Sequence, residues 1–282
     1  MSGQDSLTGV MICGAGHSGS TLLGMVLSGL PGAVYIGEGA KVRYLGDASK
    51  PLKKRACKIC GDDCAFWNGF SWTEGEGEGQ GEGLYAAVAK HAGASIVIDS
   101  SKKTDWIAAR AEEVRAAGHE ARLIFLTRDG RAVVNSRLRK YPDRDPAGQI
   151  TDWLEQIEAA QALSDAFPGP VLRIAYEDLA TTPQEIARRL AQFIGAAYDP
   201  AMLSFASRPH HPLGGNNGTQ FLAARGTEGA LVRPGARSAA YYEDHPDDIR
   251  LDLRWRDELK AEHAALFEQL AGPVNETMKW GP

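Results

Sequence analysis

Residues 14–21, Gly-Ala-Gly-His-Ser-Gly-Ser-Thr, follow the apolar run 10–13 and precede Leu22, Leu23, Val26 and Leu27 at helical spacing. A glycine-rich turn between a buried strand and a helix cradles phosphate with backbone N–H groups and the positive helix end. The spacing matches G-x-x-x-x-G-K-[ST] except at Ser20, which stands where the lysine for the β- and γ-phosphates belongs. That difference argues against ordinary ATP or GTP hydrolysis. Gly16, His17, Ser18, Gly19, Ser20 and Thr21 become candidate phosphate ligands. A second group follows the apolar run 123–127: Arg128-Asp129-Gly130-Arg131-Ala132-Val133-Val134-Asn135-Ser136. A guanidinium at a strand end and a hydroxyl two helical turns later, Arg128 and Ser136, can hold another phosphate together. Two phosphate sites without a γ-phosphate lysine point to a nucleotide phosphorylated at two separate places.

Three cysteines form the third group. Cys57, Cys60 and Cys64 give C-x-x-C-x-x-x-C, while Cys13 lies in the first apolar run. Clustered thiols could bind zinc with a fourth ligand from elsewhere, yet the sequence has no second C-x-x-C or H-x-x-H. A disulfide from Cys64 to Cys60 or Cys57 is an alternative. Reduced structural cysteines are the expectation, with no metal ligand assigned.

These residues need elements to position them. Apolar runs at 10–13, 33–36, 96–99, 123–127 and 171–175 read as strands, and helices are predicted over 106–117, 131–139, 150–166 and 255–270. Another helix starts at Thr182-Pro183, with N-cap and first-turn chemistry. Alternating strands and helices predict an α/β fold, a parallel sheet covered on both faces. Ligands bind such sheets beyond the carboxyl ends of the strands, where the first two groups fall. The Gly/Glu-rich stretch 74–83 is expected to be a loop, and the basic, Cys- and Trp-containing stretch 41–83 an insertion. Phe66, Trp67, Phe70 and Trp72 fit either an acceptor-side flap or a satellite of the core. Residues 205–282 are expected to cover the acceptor and nucleotide, and the whole of 1–282 to be one domain.

The chain has 282 residues, 43% hydrophobic and 24% charged, which excludes disordered, fibrous and membrane-embedded proteins. Its net charge of -5 argues against a nucleic-acid polymer as partner. Residues 121–140 nevertheless carry six Lys/Arg against one Asp, enough for a local anion site. The first residues lack a basic region followed by a long apolar one, and no apolar run is long enough to span a bilayer. No membrane partner is expected, and the expected compartment is the cytosol.

GAGHSGSTLL resembles the 5′-phosphosulfate loop of sulfotransferases that use 3′-phosphoadenosine 5′-phosphosulfate (PAPS), and RLIFLTRDGRAVVNSRL resembles their 3′-phosphate motif. Tyr176-Glu177-Asp178-Leu179, with Thr182-Pro183, is similar to a stretch common in the bacterial and tyrosylprotein branches. The resemblance implies a P-loop-like, three-layer α/β domain with a central parallel sheet of about five strands. It implies transfer of a sulfuryl group from PAPS to a hydroxyl or amine of a small molecule or peptide. Adenosine 3′,5′-bisphosphate would leave, with no metal required. The resemblance assigns Ser18 to Thr21 to the 5′-phosphate and Arg128 with Ser136 to the 3′-phosphate. Gly215 and Asn216 belong to a late loop over the nucleotide. Lys102 corresponds to the cation at the bridging oxygen, with Lys103 as the neighbouring choice of register. Glu38 corresponds to the catalytic base, with His210, His211 and Asp99 as alternatives. His17 stands where relatives carry Lys or Arg, so it acts as a cation if its pKa is raised, or as a neutral donor. The competing readings are a P-loop kinase and a non-catalytic nucleotide-binding module.

Overall fold

A computed structural model describes residues 6–73, 83–225, 227–244 and 248–281. Its centre is a sheet of five strands: β1 (Thr8–Cys13), β2 (Ala33–Tyr35), β3 (Ile96–Asp99), β4 (Glu120–Thr127) and β5 (Val171–Ala175). The spatial order is β2-β3-β1-β4-β5, and every pair is parallel. This is the α/β, three-layer architecture expected from the sequence.

Side chains alternate across the sheet, and both faces are covered. On one face Met11, Val97, Leu123 and Phe125 pack with Tyr85, Ile107 and Ile157. On the other, Val10, Ile98, Ile124 and Leu126 pack with Leu23, Val26 and Leu190. Two-sided burial explains why the strands read as unbroken apolar runs. Local signals set the helix starts. Asp129 caps the helix Gly130–Lys140 by accepting from the Arg131 N–H, and Asp145 caps Pro146–Ala166 from the Gly148 N–H. Pro183 opens Pro183–Ile194, and Gly195 closes it in left-handed conformation.

One predicted element is different. The closing helix expected over 255–270 is two helices, Trp255–Glu258 and Ala261–Asn275. The first is tied to Gly130–Lys140: the Arg131 guanidinium lies 4.0 Å over the Trp255 ring, and Glu258 accepts from Asn135 at 2.7 Å. The second turns Phe267 into the core against Trp153. Between these two anchorages the backbone is extended at Leu259 and Lys260. The Gly/Glu-rich stretch lies outside the described residues up to position 82. Phe66, Trp67 and Phe70 pack as a satellite of the core, and Trp72 meets Trp106 edge-on. Among the described residues, no helix is long and apolar enough to cross a membrane.

Candidate active site

β1 ends in a turn only glycine can make at two places. Gly14 has φ 130°, and a Cβ there would lie 2.2 Å from the Leu126 carbonyl oxygen. Gly19 has φ 93°, and its Cβ would lie 2.7 Å from the Tyr176 ring. The helix Ser20–Leu27 then starts without a side-chain cap, so its first-turn amides lack partners within the helix. The amides of the turn itself are used: Gly16 donates to Gln156 Oε1 at 2.9 Å, and Ser18 donates back to the Ala15 carbonyl at 3.3 Å. The amides at the start of the helix Ser20–Leu27 are left for a ligand. The Ser18 hydroxyl is buried without a hydrogen-bond partner.

The second candidate group meets the first. Arg128, at the end of β4, donates to the His17 carbonyl at 3.0 Å and lies 4.3 Å over the Tyr176 ring. Its Nε is buried and unpartnered. Ser136 Oγ lies 2.8 Å from His17 Nδ1. Burial and the charges of Lys140, Arg137, Arg128 and Arg139 push the His17 pKa down to about 3. In this state the ring is neutral at physiological pH, the second of the two roles open to it.

Two further strand ends supply a cation and a carboxylate. After β3, Lys102 is half-buried and donates to Ser20 Oγ at 2.6 Å, while Lys103 is exposed. Burial lowers the Lys102 pKa to about 8, against the pull of Glu38, Cys13 and Asp99. After β2, Glu38 accepts from the Gly215 N–H at 3.0 Å and pairs with Lys41 at 2.8 Å. Burial raises its pKa, but Lys41, the Gly215 N–H and Lys102 outweigh that and hold the carboxyl below its usual range. The alternative bases are occupied elsewhere. Asp99 accepts from the Gly39 and Ser101 amides, Tyr85 and Trp106, which fills both oxygens. His210 is buried with Nε2 2.6 Å from the Phe205 carbonyl. His211 turns to Cys60 and Cys64.

The late loop closes over these groups. The Asn216 N–H donates to Thr21 Oγ1 at 2.9 Å, and Asn216 Oδ1 caps the helix Asn217–Ala224. Gly215 has φ 84°, and a Cβ there would press on Gln220 and Thr21. The result is a cavity of about 670 Å³ reached by every predicted site residue except Ser18. Its lining has seven Lys/Arg against three Asp/Glu, although the chain is acidic overall. The tail within 205–282, expected to cover the site, forms its far wall, although the sequence did not single out the residues that do so. Asp252 Oδ2 accepts from Arg128 at 3.2 Å and from Arg254 at 2.7 Å, and Tyr176 donates to the Arg250 carbonyl at 2.6 Å. Tyr241 and Tyr242 line the same wall, and only their adjacency hinted at them. Arg139 and Lys140 lay within the basic window already noted.

The parallel sheet thus carries the glycine-rich turn after β1 and the basic strand end after β4 to one cavity. Residues 9–200 match the Sulfotransferase family, and the chain belongs to it. A relative from Caenorhabditis briggsae, named as a protein-tyrosine sulfotransferase, is 27% identical over 99 residues, 33% of this chain. The match spans about a third of that relative's length (34%). Among solved structures, the sulfotransferase domain of the Synechococcus PCC 7002 olefin synthase is similar in fold. It has a TM-score of 0.56 at 18% identity, covering 96% of this chain and 97% of the other. The sulfotransferase domain from the curacin biosynthetic pathway has a TM-score of 0.54 at 17% identity, covering 94% and 98%.

Proposed function

We propose that this chain transfers a sulfuryl group from PAPS to a hydroxyl or amine and releases adenosine 3′,5′-bisphosphate. The observation that carries the proposal is one cavity shared by the lysine-free loop, the Arg128–Ser136 pair, Lys102 and Glu38. The buried Arg128 Nε without a partner, within a cationic lining, fits an anionic ligand.

The residues divide the work by position. The first-turn amides of Ser20–Leu27, with the Ser20 and Thr21 hydroxyls, hold the 5′-phosphate. Arg128 and Ser136 hold the 3′-phosphate, and Arg128 exchanges its contact with Asp252 for that anion. Gly215 and Asn216 close the roof. In the transfer, the bond from sulfur to the acceptor oxygen or nitrogen forms as the bond from sulfur to the bridging oxygen breaks. Negative charge grows on that bridging oxygen, and Lys102 stabilises it from the Ser20 side of the loop. His17, neutral in the free protein, contributes a hydrogen bond at this end rather than a fixed charge. Glu38 takes the acceptor's proton, which requires it to release Lys41. The same reading treats 1–282 as one catalytic domain, with a small molecule or peptide as acceptor and the cytosol as compartment.

A kinase would use the missing lysine at position 20 and an acidic magnesium ligand. Binding of adenosine 3′,5′-bisphosphate and of ATP–magnesium should be compared by calorimetry, followed by an acceptor screen with radiolabelled PAPS. The bisphosphate should bind, and label should pass to an acceptor. Tight ATP–magnesium binding with no bisphosphate binding would overturn the proposal.

A further inference from the structure

The cysteine cluster gains a fourth member that the sequence reading did not pair with it. Cys57, Cys60, Cys64 and His211 each present one ligand atom, and all four atoms lie within 4.8 Å of one another. His211 Nδ1 is 3.3 Å from Cys64 Sγ and 3.4 Å from Cys60 Sγ. A zinc tetrahedron, with metal–sulfur bonds of about 2.3 Å and metal–nitrogen bonds of about 2.0 Å, has sulfur–nitrogen edges of about 3.5 Å. Those edges and the observed separations agree. Three soft thiolates with one imidazole suit zinc and offer little to magnesium or calcium.

The surroundings prepare the ligands. The Cys60 N–H points to Cys57 Sγ at 3.5 Å, and amide donors favour a thiolate. Gly61, at φ 78°, turns the chain directly after Cys60, and its N–H closes the turn on the Cys57 carbonyl. The His211 ring stacks on Phe66 with an interplanar angle of 1°, and the His211 carbonyl accepts from Trp67 Nε1 at 2.7 Å. The imidazole orientation is thus fixed by packing. Cys57 and Cys64 are 2% exposed, which suits a closed structural site.

We propose that Cys57, Cys60, Cys64 and His211 bind one zinc ion, and that this clasp fastens the cysteine insertion to the loop over the cavity. The thiol protons leave to solvent as the three thiolates coordinate. The mechanical link is short. Leu213, two residues after His211, bridges to both Cys57 and Gly37, and its carbonyl accepts from the Glu38 N–H at 2.7 Å. Lys58, next to Cys57, donates to the Gly215 carbonyl at 3.0 Å and to Asn217. The ion therefore anchors one end of the loop that carries Gly215 and Asn216. Zinc binding is independent of the sulfuryl-transfer reading, whereas its effect on nucleotide affinity rests on it.

Protein purified under reducing, chelator-free conditions should carry one zinc per chain, released as a mercurial titrates the thiols. Cys60→Ser and His211→Ala should lose the metal with far-ultraviolet circular dichroism retained, and His211→Cys should keep it. Stripping the zinc should weaken adenosine 3′,5′-bisphosphate binding about tenfold, the ordinary scale of coupling between two sites. Absence of zinc, together with no thiolate-to-cobalt charge-transfer band when Co²⁺ is added to reduced protein, would overturn the site. Equal zinc in wild type and in a Cys60→Ser/His211→Ala double variant would overturn it too. Unchanged nucleotide affinity after stripping would overturn the clasp's role over the cavity. A zinc-loaded protein that binds no bisphosphate would instead refute the nucleotide reading and leave the metal site standing.

Discussion

The floor of the cavity is shaped by a backbone turn, with Lys102 held against it, and its roof and far wall are fastened through side chains. On the floor, Gly14 and Gly19 allow the turn after β1, and the sheet registers β1, β3 and β4 beneath it. In the roof, Lys58 reaches Gly215, and in the far wall Asp252 reaches Arg128. A backbone cradle has one geometry and resists change. Side-chain stitches exchange partners at small cost, so ligand entry should rearrange the roof and wall and leave the floor in place. Glu38 lies on the seam, following β2 yet holding the Gly215 amide.

The seam should give the largest effect. Glu38→Gln keeps an acceptor for the Gly215 N–H but removes the proposed base, so kcat should fall by about 10²–10⁴-fold. Bisphosphate affinity should stay close to wild type. A kcat within a few-fold of wild type would exclude Glu38 as the base. Next comes the floor itself. A methyl group at Gly14 would meet the backbone oxygen of Leu126, which has no flexible end to move away. Gly14→Ala should cost about 3 kcal/mol in chemical denaturation, from the clash and the left-handed φ together. A cost below about 1 kcal/mol would show that the floor adjusts as easily as the roof.

The same division explains what could be read from the sequence. The floor was legible because backbone geometry writes itself locally: an apolar run, glycines at fixed offsets, then leucines at helical spacing. Lys102 and Glu38 came from the family resemblance, and both follow strands. The far wall was not, since Asp252 meets Arg128 across 124 positions and no local pattern marks it. His211 and Cys64 are 147 positions apart, so the cysteines read as an incomplete set. That the Ser18 amide folds back onto the Ala15 carbonyl is a property of the turn's dihedrals rather than of residue type, so the sequence carries no sign of it. The break at Leu259 and Lys260 separates a short helix held by Arg131 and Asn135 from one that turns Phe267 against Trp153, long-range contacts that helical periodicity alone does not register.

The far wall offers a smaller, opposite effect. Asp252 occupies Arg128 with a carboxylate held well below its usual pKa: burial raises it, but Arg254 and Arg128 outweigh burial. It is an internal anion at the point where the 3′-phosphate is proposed to bind. Asp252→Asn should remove that competitor and tighten bisphosphate binding by about fivefold, or about 1 kcal/mol. Weaker binding would mean that Asp252 positions Arg128 for the phosphate rather than competing with it.

The effect that is smallest at neutral pH separates floor from roof as the pH rises. Lys102 is cationic below its pKa of about 8 and loses its proton as the pH rises through that value. The pH dependence of kcat/KM reports ionisations of the free enzyme, so kcat/KM for PAPS should fall above pH 8, by up to about tenfold per pH unit. Bound anion raises the pKa of the same ammonium, so the fall in kcat should lie at higher pH than the fall in kcat/KM. Lys102→Arg keeps the charge at all these pH values and should move the fall upward, even if the altered geometry lowers the plateau. Lys58→Arg, in the roof, should leave the position of the fall unchanged. If Lys58→Arg moved it and Lys102→Arg did not, the titrating control would lie in the side-chain roof, and the floor could not be the part that holds the leaving group.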